Sequence, residues 1–207
     1  MKRRDFLKAS AVAGAASLCS PQLAVAQAQT GDGNGMPKLT PPDKPAELNL
    51  CLQWWGIPGG EMKEKLDFLE ANGFGAVEIP SGDWPIKNAD AMIEAMKGRK
   101  LFLATACGPS DFSYAEQEKR EAEVQKFLPI IEALGKMKSV GLIICPARGK
   151  LSEPGRLSGK ELRKDFVENT GKRLAQHAAK HGTSIVLEPL RRNETPFLRQ
   201  VADGARM

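Results

Sequence analysis

Thr183-Ser-Ile-Val-Leu-Glu-Pro-Leu-Arg-Arg-Asn-Glu194 is the stretch around which the fold of this chain can be predicted. Residues 185–187 form a short apolar run that follows a helix-like segment, as is typical of a buried strand in a parallel sheet. Glu188 comes directly after that run. Burying a carboxylate there is costly unless a cation lies beside it, and (β/α) proteins build their sites at the carboxyl ends of strands. We therefore predict that Glu188 is the chemical centre of the protein.

Strand-like runs occur four more times upstream, and helix-like segments separate them. Such alternation predicts an α/β protein with a parallel sheet. We expect a (β/α)8 TIM barrel, which takes about 250 residues; the chain would then carry its first five βα units and break off inside the fifth helix. The predicted strands are 48–55, 75–80, 100–106, 139–145 and 185–187, and the predicted helices include 61–72, 114–138, 161–181 and a last one from 197.

Two details of the helices can also be predicted. Asn88 is a favourable N-cap residue, so the second helix is expected to begin there and to bury Ala89, Met92 and Met96. Pro129 lies inside the third helical segment and is expected to kink or split it.

The first 47 residues predict an export signal and a tether. Residues 1–26 combine the basic motif Arg3-Arg-Asp-Phe-Leu-Lys8, an uncharged Ala-rich run and the small-residue cleavage pattern Ala24-Val-Ala26, which together are typical of a twin-arginine signal peptide. Residues 27–47 are rich in Gly, Pro, Asp and Asn and predict a flexible linker. The barrel domain is then expected at 48–207.

The export signal also predicts partners and location. A twin-arginine motif implies recognition by the twin-arginine translocase and a periplasmic or otherwise exported protein. The uncharged run is too short for a stable membrane span. Removal of residues 1–26 takes away four basic and one acidic side chain and lowers the formal net charge from +5 to +2. That charge gives no case for a nucleic-acid partner.

Two segments carry a resemblance to a known family. Asn72-Gly-Phe-Gly-Ala-Val-Glu-Ile79 resembles the Gly-aromatic-x-x-Val-Glu-Ile junction that leads into strand 2 of the xylose-isomerase-like TIM barrels. That superfamily includes sugar isomerases and epimerases, hydroxypyruvate isomerase and AP endonuclease type IV. Glu188-Pro-Leu-Arg-Arg-Asn-Glu194 resembles the Glu-Pro-Leu-Asn-Arg-aromatic-Glu segment of the ketose epimerase and hydroxypyruvate isomerase branch. The resemblance runs from about Leu48 to the end of the chain.

The resemblance implies roles for three residues of the second segment. Glu188 matches the strand 5 glutamate, which in that branch binds a divalent metal and takes part in proton transfer beside the substrate carbonyl. Glu194 matches a glutamate that contacts substrate hydroxyls, and Arg192 matches the motif arginine, so both are assigned to substrate binding. Arg191 and Asn193 depart from the family's Asn and aromatic residue. Because the aromatic residue normally covers an apolar part of the site, its replacement leaves the identity of the substrate open.

The cofactor that the resemblance implies is a divalent metal. Moving a proton between neighbouring sugar carbons requires stabilisation of an ene-diolate, which a metal provides while carboxylates take and return the proton. Oxygen and histidine ligands suit Mn²⁺, Mg²⁺, Co²⁺ or Zn²⁺. Besides Glu188, the family's ligands are an Asp, a His and a Glu from strands 6 to 8, which are expected beyond this chain.

Other predicted strands also end in residues that can reach a site at this rim. Glu78 ends strand 2, where a substrate contact and a structural ion pair remain equal alternatives. Trp54 and Trp55 end strand 1, and we expect one to pack in the barrel and the other to face the sugar. Cys107 ends strand 3, where packing is favoured over a site role. Glu78, Trp54 and Cys107 are therefore candidate substrate-binding residues.

Further polar residues have less specific patterns. Arg148, Lys150 and Arg156 make the loop after strand 4 basic, which suits a phosphate-attracting rim or, more commonly, a solvated loop. His177 and His181 have the i, i+4 spacing of a helical metal pair but lack the His-Glu-x-x-His pattern, and their helix should lie outside the barrel. We expect these histidines to be solvated or to cap the helix.

Together these patterns predict a metal-dependent isomerase or epimerase of a sugar or small hydroxy-ketone, similar to hydroxypyruvate isomerase. Two alternatives remain open. An AP-endonuclease-like nuclease is disfavoured by export and by the nearly neutral mature charge, and a non-catalytic carbohydrate-binding relative would keep the barrel without the metal. The 207 residues alone are expected to be inactive, and a homo-oligomer is left open.

Overall fold

A computed structural model describes residues 49–207, so the predicted signal peptide (1–26) and linker (27–47) lie outside the described residues. The described residues contain a five-stranded parallel sheet whose strand order is β1-β2-β3-β4-β5. Helices alternate with the strands, which confirms the predicted α/β class. In chain order the elements are β1 (Cys51–Gln53), α1 (Met62–Ala71), β2 (Ala76–Pro80), α2 (Asp83–Met96), β3 (Phe102–Cys107), α3 (Gln117–Lys136), β4 (Gly141–Ile144), α4 (Gly159–Asp165), α5 (Gly171–Lys180), β5 (Ser184–Leu187) and α6 (Val201–Ala205).

The core lies between the sheet and the helices that cover it. Strand residues such as Val77 and Leu142 are fully buried, as are Leu66 of α1 and Ile131 of α3. Burial on the sheet side explains why these helices have one apolar face. Because all five strands run parallel, their carboxyl ends meet along one rim of the sheet, which we call the carboxyl rim.

The first strand is shorter than predicted. β1 ends at Gln53, and Trp54–Gly56 turn into a short 3-10 helix instead of extending the strand. The apolar residues of 48–55 suggested a longer strand, but β2 pairs only with residues 51–53. The tryptophans therefore leave the sheet at the carboxyl rim.

Helix α2 begins five residues before the position that Asn88 predicted, so that prediction is wrong. Asp83 is its first residue, after Gly82 with a φ of 74°. The negative charge of Asp83 in the first turn interacts favourably with the positive end of the helix dipole. Pro85 is tolerated in this turn because first-turn N–H groups have no intrahelical acceptor. Asn88 instead donates from its side chain to the Trp84 carbonyl, 2.9 Å away inside the helix.

Two other helices also differ from the sequence prediction. Helix α3 runs without interruption through Pro129, so the predicted split does not occur. The segment predicted as one helix over 161–181 begins earlier, where Ser158 and Glu161 form a capping box, and changes to a π-turn at Phe166–Thr170 before continuing as α5. Within residues 49–207, no helix is both long enough and apolar enough to span a membrane.

Candidate functional site

The carboxyl rim holds Glu78 of β2 between side chains from its two neighbouring strands. Gln53 of β1 donates from Nε2 to Glu78 Oε1 at 2.8 Å, and Thr105 of β3 donates from Oγ1 to Oε2 at 2.6 Å. Both oxygens of the carboxylate are thus fixed by neutral donors. Across the part of the chain that the structure describes, Glu78 forms no salt bridge, so the ion-pair alternative finds no partner there.

The register of the strands explains this arrangement. Gln53 lies opposite Glu78 in the β1–β2 pair. Between β2 and β3 the register shifts between Val77 and Ile79, which brings Thr105 beside the glutamate. The sequence prediction missed Gln53 and Thr105. A polar residue at the last position of an apolar strand was the available signal, but the register shift follows from pairing between distant parts of the chain.

Glu188 lies where the sequence placed it, directly after β5. Its backbone N–H donates to the Ile144 carbonyl at 3.1 Å, which ties the end of β5 to β4. The residue is only partly exposed. Burial, followed by the negative charges of Glu78 and Glu194, raises the pKa of the Glu188 carboxyl, while the cationic Arg148 opposes that rise. The rim therefore places Glu188, a partly buried carboxylate, near the negative charges of Glu78 and Glu194.

Cys107, at the end of β3, belongs to the same electrostatic neighbourhood. Burial is the largest cause that raises the pKa of its thiol to about 11, and the charges of Glu188 and Glu78 contribute next. The pKa of the Cys51 thiol is also raised, by burial and then by Glu78. Both thiols are thus protonated at neutral pH and are poor nucleophiles.

The loop after β5 carries the remaining motif residues. Thr195 anchors it by donating from Oγ1 to the Ala147 carbonyl at 3.0 Å. Glu194 accepts a hydrogen bond from Arg191 Nε at 2.9 Å, and Arg192 is exposed beside them. Arg191 stands where the family has Asn. Its guanidinium therefore provides a hydrogen-bond partner for Glu194, the glutamate that the resemblance assigns to substrate binding. The roles of Glu194 and Arg192 in substrate binding remain predictions.

Trp54 is not among the side chains that the rim brings together. Its ring packs against Trp84 of α2 with centroids 5.2 Å apart, and Lys65 Nζ lies 5.5 Å from its centroid. These contacts place Trp54 in a groove between α1 and α2. Trp55 is 57% exposed and points out of the core.

The basic loop after β4 separates into two parts. Arg156 bonds Asp111 Oδ2 at 2.7 Å and Ser113 Oγ at 2.9 Å, and its guanidinium lies 4.5 Å from the centre of the Tyr114 ring. This arginine therefore joins the loops after β3 and β4. Arg148, by contrast, is exposed and close enough to influence the pKa values of Glu188 and Cys107.

The two histidines lie near the amino end of β5, whereas Glu188 follows its carboxyl end. His177 and His181 are at the carboxyl end of helix α5, directly before the amino end of β5, and Glu132 of α3 is next to them. Sequence analysis correctly assigned them to a helix outside the sheet. It missed the neighbouring acid, because Glu132 is 45 residues from His177 in the chain.

A parallel α/β fold with candidate site residues at the carboxyl ends of its strands is the general arrangement of (β/α) barrel enzymes. Residues 66–207 match the family described as Xylose isomerase-like TIM barrel, and residues 1–18 match the signal sequence of the twin-arginine translocation pathway. The chain belongs to the xylose isomerase-like TIM barrel family, which confirms the resemblance, and it carries a twin-arginine export signal.

Similar proteins include sugar epimerases. The chain is 30% identical over 152 residues to 3-dehydro-D-guloside 4-epimerase of Escherichia coli K12, an alignment that covers 69% of this chain and 56% of that protein. The crystal structure of apo 3-keto-D-glucoside 4-epimerase from E. coli aligns with a TM-score of 0.63 and 28% identity over 76% of this chain and 61% of its own. A zinc-bound IOLI structure shares the fold, with a TM-score of 0.53 and 14% identity over 68% and 51% of the two chains. The chain thus spans little more than half the length of the curated relative it matches.

Proposed function

We propose that this protein is a divalent-metal-dependent epimerase or isomerase that acts on a keto-sugar or keto-glycoside. The observation that carries the proposal is the position of Glu188, partly buried directly after β5 at the carboxyl rim that also holds Glu78. The similarity of the chain to the E. coli 4-epimerases supports a carbohydrate substrate over a small hydroxy-ketone. The twin-arginine signal supports function in the periplasm.

Among the described residues of the carboxyl rim, Glu188 offers one candidate ligand to a divalent cation. Within residues 49–207, no side chain donates a hydrogen bond to the Glu188 carboxylate, whereas Glu78 is held by two neutral donors. Arg148 is the cation that opposes the raised pKa of Glu188, and it is exposed. Glu188 would therefore hold the metal, consistent with the zinc in the IOLI structure. A bound divalent ion supplies positive charge that stabilises the substrate's oxygen atoms.

The side chains of this chain would share the remaining tasks. Glu188 would take the proton from the carbon beside the substrate carbonyl, and inversion of that carbon would require a second group to return a proton to the opposite face. Glu78 is fixed by Gln53 and Thr105, so it can present a preorganised acceptor to a sugar hydroxyl. Glu194 and Arg192 would bind substrate from the loop after β5, with the Glu194–Arg191 pair opening to admit it.

The test is Glu188→Gln in the full-length protein, which preserves shape and removes the charge. We expect weakened metal binding and a loss of at least about a hundredfold in exchange of the substrate's carbon-bound proton with solvent deuterium. Metal analysis and deuterium exchange by mass spectrometry measure the two effects, with keto-glycosides as substrates. Glu118→Gln, a change of the same type on the exposed start of α3, serves as the control and should leave both unchanged.

Full metal occupancy with normal exchange in Glu188→Gln would remove this residue from the site. Metal binding without any exchange in the wild-type protein would favour the non-catalytic carbohydrate-binding alternative.

A further inference from the structure

A second cluster of metal-ligand side chains lies between helices α3 and α5. His177 Nε2 is 3.1 Å from Glu132 Oε1, and the imidazole rings of His177 and His181 lie with their centroids 4.6 Å apart. One ligand atom from each of the three side chains lies within 4.8 Å of the other two. We call these three residues the His-Glu cluster.

The helix packing fixes the positions of these side chains. The i, i+4 spacing puts both histidines on one face of α5. Gly135 lets α3 approach the end of α5 closely, because an added Cβ at that position would lie 2.3 Å from the His181 carbonyl oxygen. Lys136, which could have paired with Glu132 from the next turn, instead bonds Asp90 at 2.6 Å.

We propose that the His-Glu cluster is a binding site for a divalent transition metal such as Zn²⁺. Two imidazoles and one carboxylate form a donor set that suits zinc. Bonds of about 2.0–2.1 Å in a tetrahedral site separate ligand atoms by about 3.3 Å. The His177–Glu132 distance is already close to that value, and the widest separation in the cluster needs only a modest adjustment of side-chain rotamers.

The site is independent of the carboxyl rim and of the function proposed for it. The histidines precede the amino end of β5, whereas Glu188 follows its carboxyl end. The length of β5 therefore separates the two sites. His177 is 21% exposed and Glu132 is 53% exposed, which leaves room for water or another ligand at an open coordination position. A metal bound here would cross-link α3 to α5 and stabilise the fold.

The composition of the chain makes the test specific. His177 and His181 are the two histidines of the 207 residues, so imidazole NMR signals of this chain report on the cluster alone. We expect Zn²⁺ added to the chelator-treated 207-residue chain to shift both imidazole signals and to raise the unfolding temperature. Unchanged signals for both histidines at saturating Zn²⁺ would overturn the proposal without any variant.

Variants then assign the ligands. His177→Gln and Glu132→Gln should each lower the Zn²⁺ affinity of the cluster by roughly tenfold or more in calorimetric titration and should reduce the rise in unfolding temperature. Gln176→Ala, a neighbouring exposed residue on α5, is the matched control and should bind Zn²⁺ like wild type. Glu188→Gln should keep the part of the rise that depends on the cluster and should keep the Zn²⁺-induced shifts of both imidazole signals, which separates this site from the carboxyl rim. A rise that is lost in Glu188→Gln but kept in His177→Gln would place the zinc at the rim and refute the cluster.

Discussion

At the scale of single residues, two glutamates at the carboxyl rim have different environments. Glu78 is fixed by hydrogen bonds from Gln53 and Thr105, whereas the pKa of Glu188 is raised by burial and by neighbouring carboxylates. A fixed acceptor suits substrate positioning, and a less well-solvated carboxylate suits metal binding and proton transfer. Glu78 is therefore suited to positioning the substrate, and Glu188 to metal binding and proton transfer, although both are glutamates.

The electrostatic link between Glu188 and Cys107 gives a prediction at this scale. In Glu188→Gln the pKa of Cys107 should fall below about 11, because a nearby negative charge is removed while burial remains. Alkylation of Cys107 in chelator-treated protein should therefore rise at lower pH than in the wild type. Peptide mass spectrometry after iodoacetamide treatment at a series of pH values measures this change.

Cys51 supplies the internal control for that experiment. Its raised pKa is caused by burial and by Glu78 and not by Glu188, so its alkylation profile should be the same in both proteins. Identical Cys107 profiles in the two proteins would contradict the proximity of Cys107 to the Glu188 charge.

At the scale of elements, the contact between α3 and α5 depends on Gly135. Alanine usually stabilises a helix interior by up to about 1 kcal/mol relative to glycine. At Gly135 the added Cβ would lie 2.3 Å from the His181 carbonyl oxygen, so the helices must move apart. We expect Gly135→Ala to lower the free energy of unfolding by about 1–3 kcal/mol, as overpacking does. Urea denaturation of the full-length protein measures it.

Gly204→Ala is the matched control for that substitution. Gly204 also lies in a helix, α6, but its nearest neighbour would be Leu198 Cδ1 at 3.8 Å, an ordinary contact. Gly204→Ala should leave the free energy of unfolding unchanged or raise it slightly. Equal stability of the two variants would show that the α3–α5 contact adjusts without cost.

Much of the element pattern could be predicted from the sequence, and the exceptions have physical reasons. β2 to β5 were predicted because each contains a short apolar run, and β2 and β4 are largely buried on both faces. The start of α2 was missed because a strong cap residue, Asn88, lies inside a helix that already begins at Asp83. The π-turn at Phe166–Thr170 leaves the apolar spacing of the segment almost unchanged, so periodicity could not reveal it.

The site was predictable only in part. The strand pattern gave the position of Glu188, since it depends on local sequence. The bonds to Glu78 and the approach of Glu132 to His177 depend on register and helix packing between segments 25 to 45 residues apart. Local patterns contain no information on such contacts.

At the scale of the whole molecule, the export signal makes a prediction about location. Replacing Arg3 and Arg4 together by lysine keeps the charge but removes the twin-arginine pair. We expect uncleaved precursor to accumulate in the cytoplasm, as measured by cell fractionation and immunoblotting. Lys2→Arg is the control and should be exported normally. Periplasmic recovery of the double variant at the wild-type level would show that another route exports the protein.

The strand order of the sheet has a consequence for synthesis on the ribosome. Each described strand after β1 pairs with the strand made just before it. Gln53 and its hydrogen-bond partner Glu78, for example, are 25 residues apart in the sequence. At about 5–20 residues per second, translation delivers each new strand within seconds, whereas a connecting helix of about 20 residues forms within about a microsecond. The five described strands can therefore join the sheet one at a time as the nascent chain emerges. Structure can thus accumulate in the cytoplasm before the twin-arginine signal, which is the first part of the chain to be made, directs its export.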